Sequence, residues 1–152
     1  MKKKLTHART CVYNCNYHII WTVKYRRKVL TADIEARLKE IVFWTASNCD
    51  FVVHEVEIGE RDHVHIFASA HPKVSASYIV RSLKSSTGQL LLKEFPSLHD
   101  NLWGGHLWSP SYYVETIGSV NEAAIRRYIQ EQDKEPGYDG RRKKYKALRK
   151  AE

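Results

Sequence analysis

The chain reads as an α+β domain of the ferredoxin-like, split βαβ kind. It should form a four-stranded antiparallel sheet with helices on one face, followed by a C-terminal helix. Three observations predict this. Four segments carry strand signatures and three carry helical periodicity. Their order is β-α-β-β-α-β-α, and the first six match a split βαβ unit. The two middle strand segments, 51–58 and 62–70, are separated only by Gly59-Glu60-Arg61, which makes them a hairpin.

Residues 12–23 (VYNCNYHIIWTV) are rich in aromatic and β-branched types and predict the first strand. A basic run, Lys24-Tyr25-Arg26-Arg27-Lys28, follows it. Ile34, Leu38, Ile41, Val42 and Thr45 share one face of a helix over about 31–48, with Thr31 as its N-cap. The hairpin comes next. Beyond Pro72 a second helix, about 74–93, turns Ile79, Leu83 and Leu90 inward and carries Arg81 and Lys84 on a polar flank. Leu102-Trp103-Gly104-Gly105-His106 is a glycine-hinged turn into a last strand, about 107–117. Ser119 and Glu122 form a capping-box pattern that opens a third helix, about 120–133. The tail, 134–152, holds eight Lys or Arg against three Asp or Glu. The chain is thus one domain over 1–133 with a basic extension over 134–152.

The 152 residues are 43% hydrophobic, enough for a packed core, and carry a formal charge of +8. That basic excess points to a polyanionic partner, of which nucleic acid is the commonest. Three cysteines, Cys11, Cys15 and Cys49, make neither a disulfide framework nor a CxxC site, which suits a reducing cytoplasm. The run Tyr17-His18-Ile19-Ile20-Trp21 is too short and too polar-flanked for a signal peptide or a membrane span.

The chemistry begins at His63-Val64-His65. On a strand, i and i+2 point the same way, about 7 Å apart along the chain, so both imidazoles can converge on one cation. Val64, Ile66 and Ala68 then face the core. Tyr128 and Gln132 are four apart on the third helix and share a face. Helical periodicity alone would make Tyr128 a core residue, but the polar amide one turn on suggests that this face meets something polar, and an amide oxygen can ligate a metal. A metal-assisted attack of the phenol on a phosphodiester is the reaction these groups describe. By ligand chemistry alone a histidine pair suits zinc or iron better than magnesium. Lys24, Arg26, Arg27 and Lys28, with Tyr25 among them, and Arg81 and Lys84 are candidates to contact DNA. His54 is expected on the apolar side of its strand; Glu55 and Glu57 are expected near the histidine face without being ligands.

Taken together, these pieces resemble the single-tyrosine HUH transposases of the insertion-sequence 200/605 group. The resemblance spans about 12–133. It rests on Tyr17-His18-Ile19-Ile20-Trp21-Thr22-Val23-Lys24-Tyr25-Arg26, Asp62-His63-Val64-His65, Leu102-Trp103-Gly104-Gly105, Trp108-Ser109-Pro110-Ser111-Tyr112, and Tyr128-Ile129 followed by Gln132. It implies Tyr128 as the nucleophile that forms a 5′-phosphotyrosine. It also implies His63, His65 and Gln132 as ligands of Mg²⁺ or Mn²⁺. Single-stranded DNA ends with hairpins would be the substrate, and a homodimer the working form, in which the tyrosine helix of one subunit can serve the other. Gly59-Glu60-Arg61 departs from the Met-Pro pair often found at this place, a change expected to alter the turn rather than the ligands. Asp62 matches a family acidic position to which no role is assigned. Two other readings stay open: a non-enzymatic nucleic-acid-binding module on the same scaffold, and a domesticated relative acting on chromosomal hairpins.

Overall fold

The computed structural model describes residues 5–118 and Arg127. The rest of the predicted third helix, with Tyr128 and Gln132, and the tail lie outside the described residues, as does the side chain of Trp103. The chain divides into two units, Met1–Ser119 and Val120–Glu152, and the first holds every element described below.

Six strands and two α-helices occur in that unit: β1 Thr6–His7, β2 Val12–Tyr13, β3 Asn16–Thr22, α1 Ala32–Ser47, β4 Phe51–Gly59, β5 His63–Ala70, α2 Ala76–Glu94 and β6 Tyr113–Ile117. The main sheet has the order β4-β5-β3-β6, antiparallel at every pairing. This is the predicted split βαβ topology, with β5 and β3 central.

One sheet face is the core. Ile19, Trp21, Val53, Val56, Val64, Ile66 and Ala68 alternate onto it, and all are buried. Against them α1 sets Ile34, Leu38, Ile41 and Val42, and α2 sets Ile79, Leu83 and Leu91. Leu90, expected inward, is only partly buried. The helices are tied together by a two-pronged pair from Arg37 to Glu94 (2.7 and 2.8 Å) and by a Thr45–Ser86 hydroxyl contact of 2.7 Å. The Ser75 hydroxyl caps α2 by accepting from Tyr78 N–H. Thr31 stands at the N-cap of α1 as expected, but its side chain makes no capping bond.

The first and last predicted strands are both shorter than the sequence suggests. The run 12–23 is not continuous: Val12–Tyr13 pairs with Thr6–His7 in a separate ribbon, and the sheet strand begins at Asn16. Between them the Asn16 amide donates to Asn14 Oδ1 at 2.7 Å, a local bond of the kind that competes with ladder pairing. The last strand, predicted from 107, touches the sheet at a single bridge, Trp108 with Val23, and pairs fully only from Tyr113. Pro110 has no N–H for the ladder. In addition, the Ser109 and Ser111 carbonyls accept from Lys84 Nζ instead (2.7 and 2.8 Å).

The β4–β5 turn closes with Asp62 N–H donating to Gly59 O, and its two central residues, Glu60 and Arg61, have φ of 46° and 60°. Left-handed backbone disfavours side-chain-bearing residues, by about 1–2 kcal/mol each. Arg61→Gly is therefore expected to raise stability by up to about 1 kcal/mol after glycine's entropy is set against it, read as a higher urea midpoint at unchanged slope.

Candidate active site

The face of the sheet opposite the helices carries the polar residues. Along β5, His63, His65, Phe67 and Ser69 point there; along β3, His18 and Ile20; along β6, Tyr113 and Glu115. The His63 and His65 rings lie closer than strand spacing alone requires, with centroids 5.0 Å apart and planes at 68°. Both are buried, at 6% and 1% exposure. The predicted pairing of the two imidazoles on one face is thus what the fold produces.

Each ring is held through Nδ1. His63 Nδ1 contacts Asp62 Oδ1 at 2.6 Å, and Asp62 Oδ2 accepts from Arg26 Nε at 3.3 Å. His65 Nδ1 contacts His18 Nε2 at 3.1 Å, and His18 Nδ1 contacts Glu115 Oε1 at 3.2 Å. With Nδ1 engaged on both rings, Nε2 is the atom each has to offer a cation. A hydrogen bond at the far nitrogen is how metal-binding imidazoles are usually oriented. Asp62, the position left without a role, therefore acts as a clamp on His63. Its place is set by backbone bonds from Val23 N–H to Asp62 O (2.7 Å) and from Leu30 N–H to Arg61 O (3.0 Å).

The donor chemistry fits a divalent ion in part. Among the described residues no group of three His, Cys, Asp or Glu is placed to hold a metal ion, so the histidine pair needs a ligand from elsewhere. Gln132, the expected third ligand, and Tyr128, the expected nucleophile, lie outside the described residues.

His54 corrects the sequence reading. A β-bulge between Val53 and Glu55 slips the register of β4, so His54 does not reach the apolar face. It lies on the histidine side, with Nε2 2.6 Å from Ser69 Oγ and its ring 4.9 Å from that of Phe67. Simple alternation cannot foresee this, because one inserted residue reverses the face of what precedes it. Glu57 stands opposite His65 across β4 and β5, as expected of it. Two residues were missed altogether, His18 and Glu115. The distant pairings β3–β5 and β3–β6 bring them to His65, and the only trace in the sequence is a histidine beside the apolar run Ile19-Ile20-Trp21.

The profile of the family described as "Transposase IS200 like" matches residues 11–132, four-fifths of the chain. The chain belongs to the IS200-like transposase family. It is 37% identical over 133 residues to the ISDra2 transposase TnpA of Deinococcus radiodurans, covering 87% of this chain and 94% of that relative. It is 31% identical to the transposase for insertion sequence element IS200 of Salmonella typhimurium, covering 86% and 83%. Among solved structures, a candidate transposase from Deinococcus radiodurans aligns with TM-score 0.69 at 34% identity, over 84% of this chain and 97% of that one. A REP-associated tyrosine transposase bound to a REP hairpin shares the fold at TM-score 0.51 and 14% identity, over 82% of this chain and 67% of that one.

In this IS200-like transposase the basic candidates fall into two places. Lys24, Arg26 and Arg27 occupy the turn after β3, where Tyr25 and Arg26 adopt left-handed backbone (φ 59° and 51°). That turn exposes the Tyr25 ring at 66%, with Lys24 Nζ 5.4 Å from its centroid. Arg26 is committed in part to Asp62, whereas Arg27 is exposed. Arg81 and Lys84 line an open groove of about 610 Å³ between α2 and the segment 105–112, with Gly88, Trp108 and Tyr112. Trp108 is a packing residue: its indole N–H donates to Thr87 Oγ1 at 2.9 Å and its ring meets Trp21 edge-on. No helix among the described residues is long and apolar enough to cross a membrane.

Lys84 is half-buried, and burial pushes its pKa down from 10.5 to about 8, opposed by the two carbonyls that favour the ammonium. The folded value lies below the unfolded one, so between about pH 8 and 10.5 the unfolded chain holds the extra proton. Stability contributed by this group therefore rises with pH across that window. Urea midpoints measured from pH 7.5 to 10 should show the rise, and Lys84→Met should flatten it.

Proposed function

We propose that the chain cleaves and rejoins single-stranded DNA at hairpin-bearing element ends, through a 5′-phosphotyrosine formed on Tyr128. The observation that carries this reading is the His63–His65 pair: two buried imidazoles on one central strand, each held at Nδ1, so that Nε2 is the ring nitrogen that would take a cation. A buried histidine cluster of this kind has little reason to exist in a non-enzymatic nucleic-acid-binding module, which would present aromatic rings for stacking.

When bound, Mg²⁺ or Mn²⁺ held by His63, His65 and Gln132 would polarise the scissile phosphate and align it for in-line displacement. The chain's own groups do the rest. The Tyr128 oxygen bonds to phosphorus as the phenol loses its proton; the bond from phosphorus to the 3′ oxygen breaks, and that oxygen leaves as a hydroxyl. Phosphodiester energy is kept in the phosphotyrosine, so a second strand's 3′-hydroxyl can reverse the step without ATP. Asp62 and Arg26 keep the His63 ring in place throughout. The basic turn around Tyr25 and the groove beside Arg81 are suited to hold phosphates and an unpaired base. The working form is a homodimer in which the tyrosine helix of one subunit can complete the partner's histidine pair, and the setting is the cytoplasm.

The test is incubation with single-stranded DNA carrying the hairpin ends of the host element, with Mn²⁺ and with EDTA. A covalent protein–DNA adduct that survives denaturing gels, together with a new 3′-hydroxyl, is expected with Mn²⁺ alone. No adduct on the element's own ends, or an equal yield in EDTA, would sink the proposal.

A further inference from the structure

We infer that His18 and Glu115 form a positioning dyad that sets the tautomer of His65, presenting the Nε2 lone pair to the cation site. The inference rests on the reading of His65 as a metal ligand, which is the proposal above.

The geometry is a chain of hydrogen bonds running across three strands. Glu115 on β6 stands directly opposite His18 on β3, and its Oε1 lies 3.2 Å from His18 Nδ1. Tyr113 O–H donates to the other carboxylate oxygen, also at 3.2 Å. On the far side, His18 Nε2 lies 3.1 Å from His65 Nδ1, with the two rings stacked 16° from parallel at 5.3 Å between centroids. Both rings are 1% exposed.

The direction of each bond then follows from what each atom can do. A carboxylate only accepts, so His18 donates from Nδ1. A neutral imidazole has one N–H, so His18 Nε2 is an acceptor. His65 must then donate from Nδ1, and its Nε2 carries a lone pair. With both rings neutral and the carboxylate ionised, reversing any one bond would set two donors or two acceptors against each other. The result matches at His63, where Asp62 accepts from Nδ1–H directly. The two histidines thus reach the same tautomer by different routes, one through an adjacent carboxylate and one through a relay.

Packing does not explain the relay. Apolar side chains of similar volume would fill the space beneath His65 without the cost of burying the His18 imidazole. What they could not do is point a lone pair.

Two readouts test this, and one needs no metal. Long-range ¹H–¹⁵N spectra of the metal-free protein should show His65 as the Nδ1–H tautomer; a proton on Nε2 would overturn the inference. Mn²⁺ affinity, followed by electron paramagnetic resonance, should weaken about ten- to a hundredfold in His18→Phe, which keeps the stacked ring and loses both bonds. His18→Gln, able to accept and donate in the same places, should recover most of it. Glu115→Leu, on the edge strand, gives a second break in the relay should His18→Phe fail to fold. Folded breaks that leave both the His65 tautomer and Mn²⁺ affinity unchanged would overturn the dyad. If the unaltered protein shows the Nδ1–H tautomer but binds no Mn²⁺, the metal reading fails and the dyad stands.

Discussion

Tyr128→Phe should abolish the covalent adduct while leaving hairpin binding nearly intact. The substitution removes one oxygen and nothing else, so the ring can still occupy its place but has no atom to bond to phosphorus. Loss of a nucleophile typically costs about 10³-fold or more in the chemical step, with binding little changed because ground-state contacts survive. Gel-shift titration and a denaturing-gel assay on the same hairpin separate the two effects. A Phe variant that cleaves at the normal rate would mean that another residue is the nucleophile. Weaker binding with residual cleavage would instead assign Tyr128 to DNA contact.

His65→Ala, and separately His63→Ala, should each lower Mn²⁺ affinity by about a hundredfold or more, beyond the effect of losing an orienting partner. Cleavage should fall in parallel and remain low at Mn²⁺ concentrations that saturate the unaltered protein. The two variants differ in stability. Truncating His65 leaves His18, itself 1% exposed, facing a small cavity without its ring partner, a loss on the order of 1–3 kcal/mol. Truncating His63 leaves Asp62 still paired with Arg26, and the cost should be smaller. Thermal melts with and without Mn²⁺ read both quantities. The metal should raise the midpoint of the unaltered protein and of neither variant. A Mn²⁺-dependent rise that persists in both variants would show that the ion binds elsewhere.

The hydrophobic pattern was a good guide wherever one face alone decided the outcome. Helices α1 and α2 came within two residues of their predicted ends because a buried stripe and a capping position mark each. The hairpin of β4 and β5 was equally legible, since short alternating segments on either side of three turn residues have few other options. The first and last strands were not, because pairing there is lost to competitors that alternation cannot register. These are the Asn14–Asn16 bond at one and Pro110 with Lys84 at the other.

The same division runs through the site. From sequence alone came the ferredoxin-like order of elements, the family, and the placing of His63 and His65 on one face, because a period of two is a property of the strand itself. The assignments of Tyr128 and Gln132 also rest on sequence resemblance, and periodicity would have left the tyrosine in the core. Only the tertiary structure turned His54 to the histidine side, through a bulge that shifts the register. It alone closed Asp62 onto His63 and Arg26, and brought His18 and Glu115, 97 residues apart, into line behind His65. Contacts between strands depend on register and pairing across the sheet, and no local spacing in the chain encodes those.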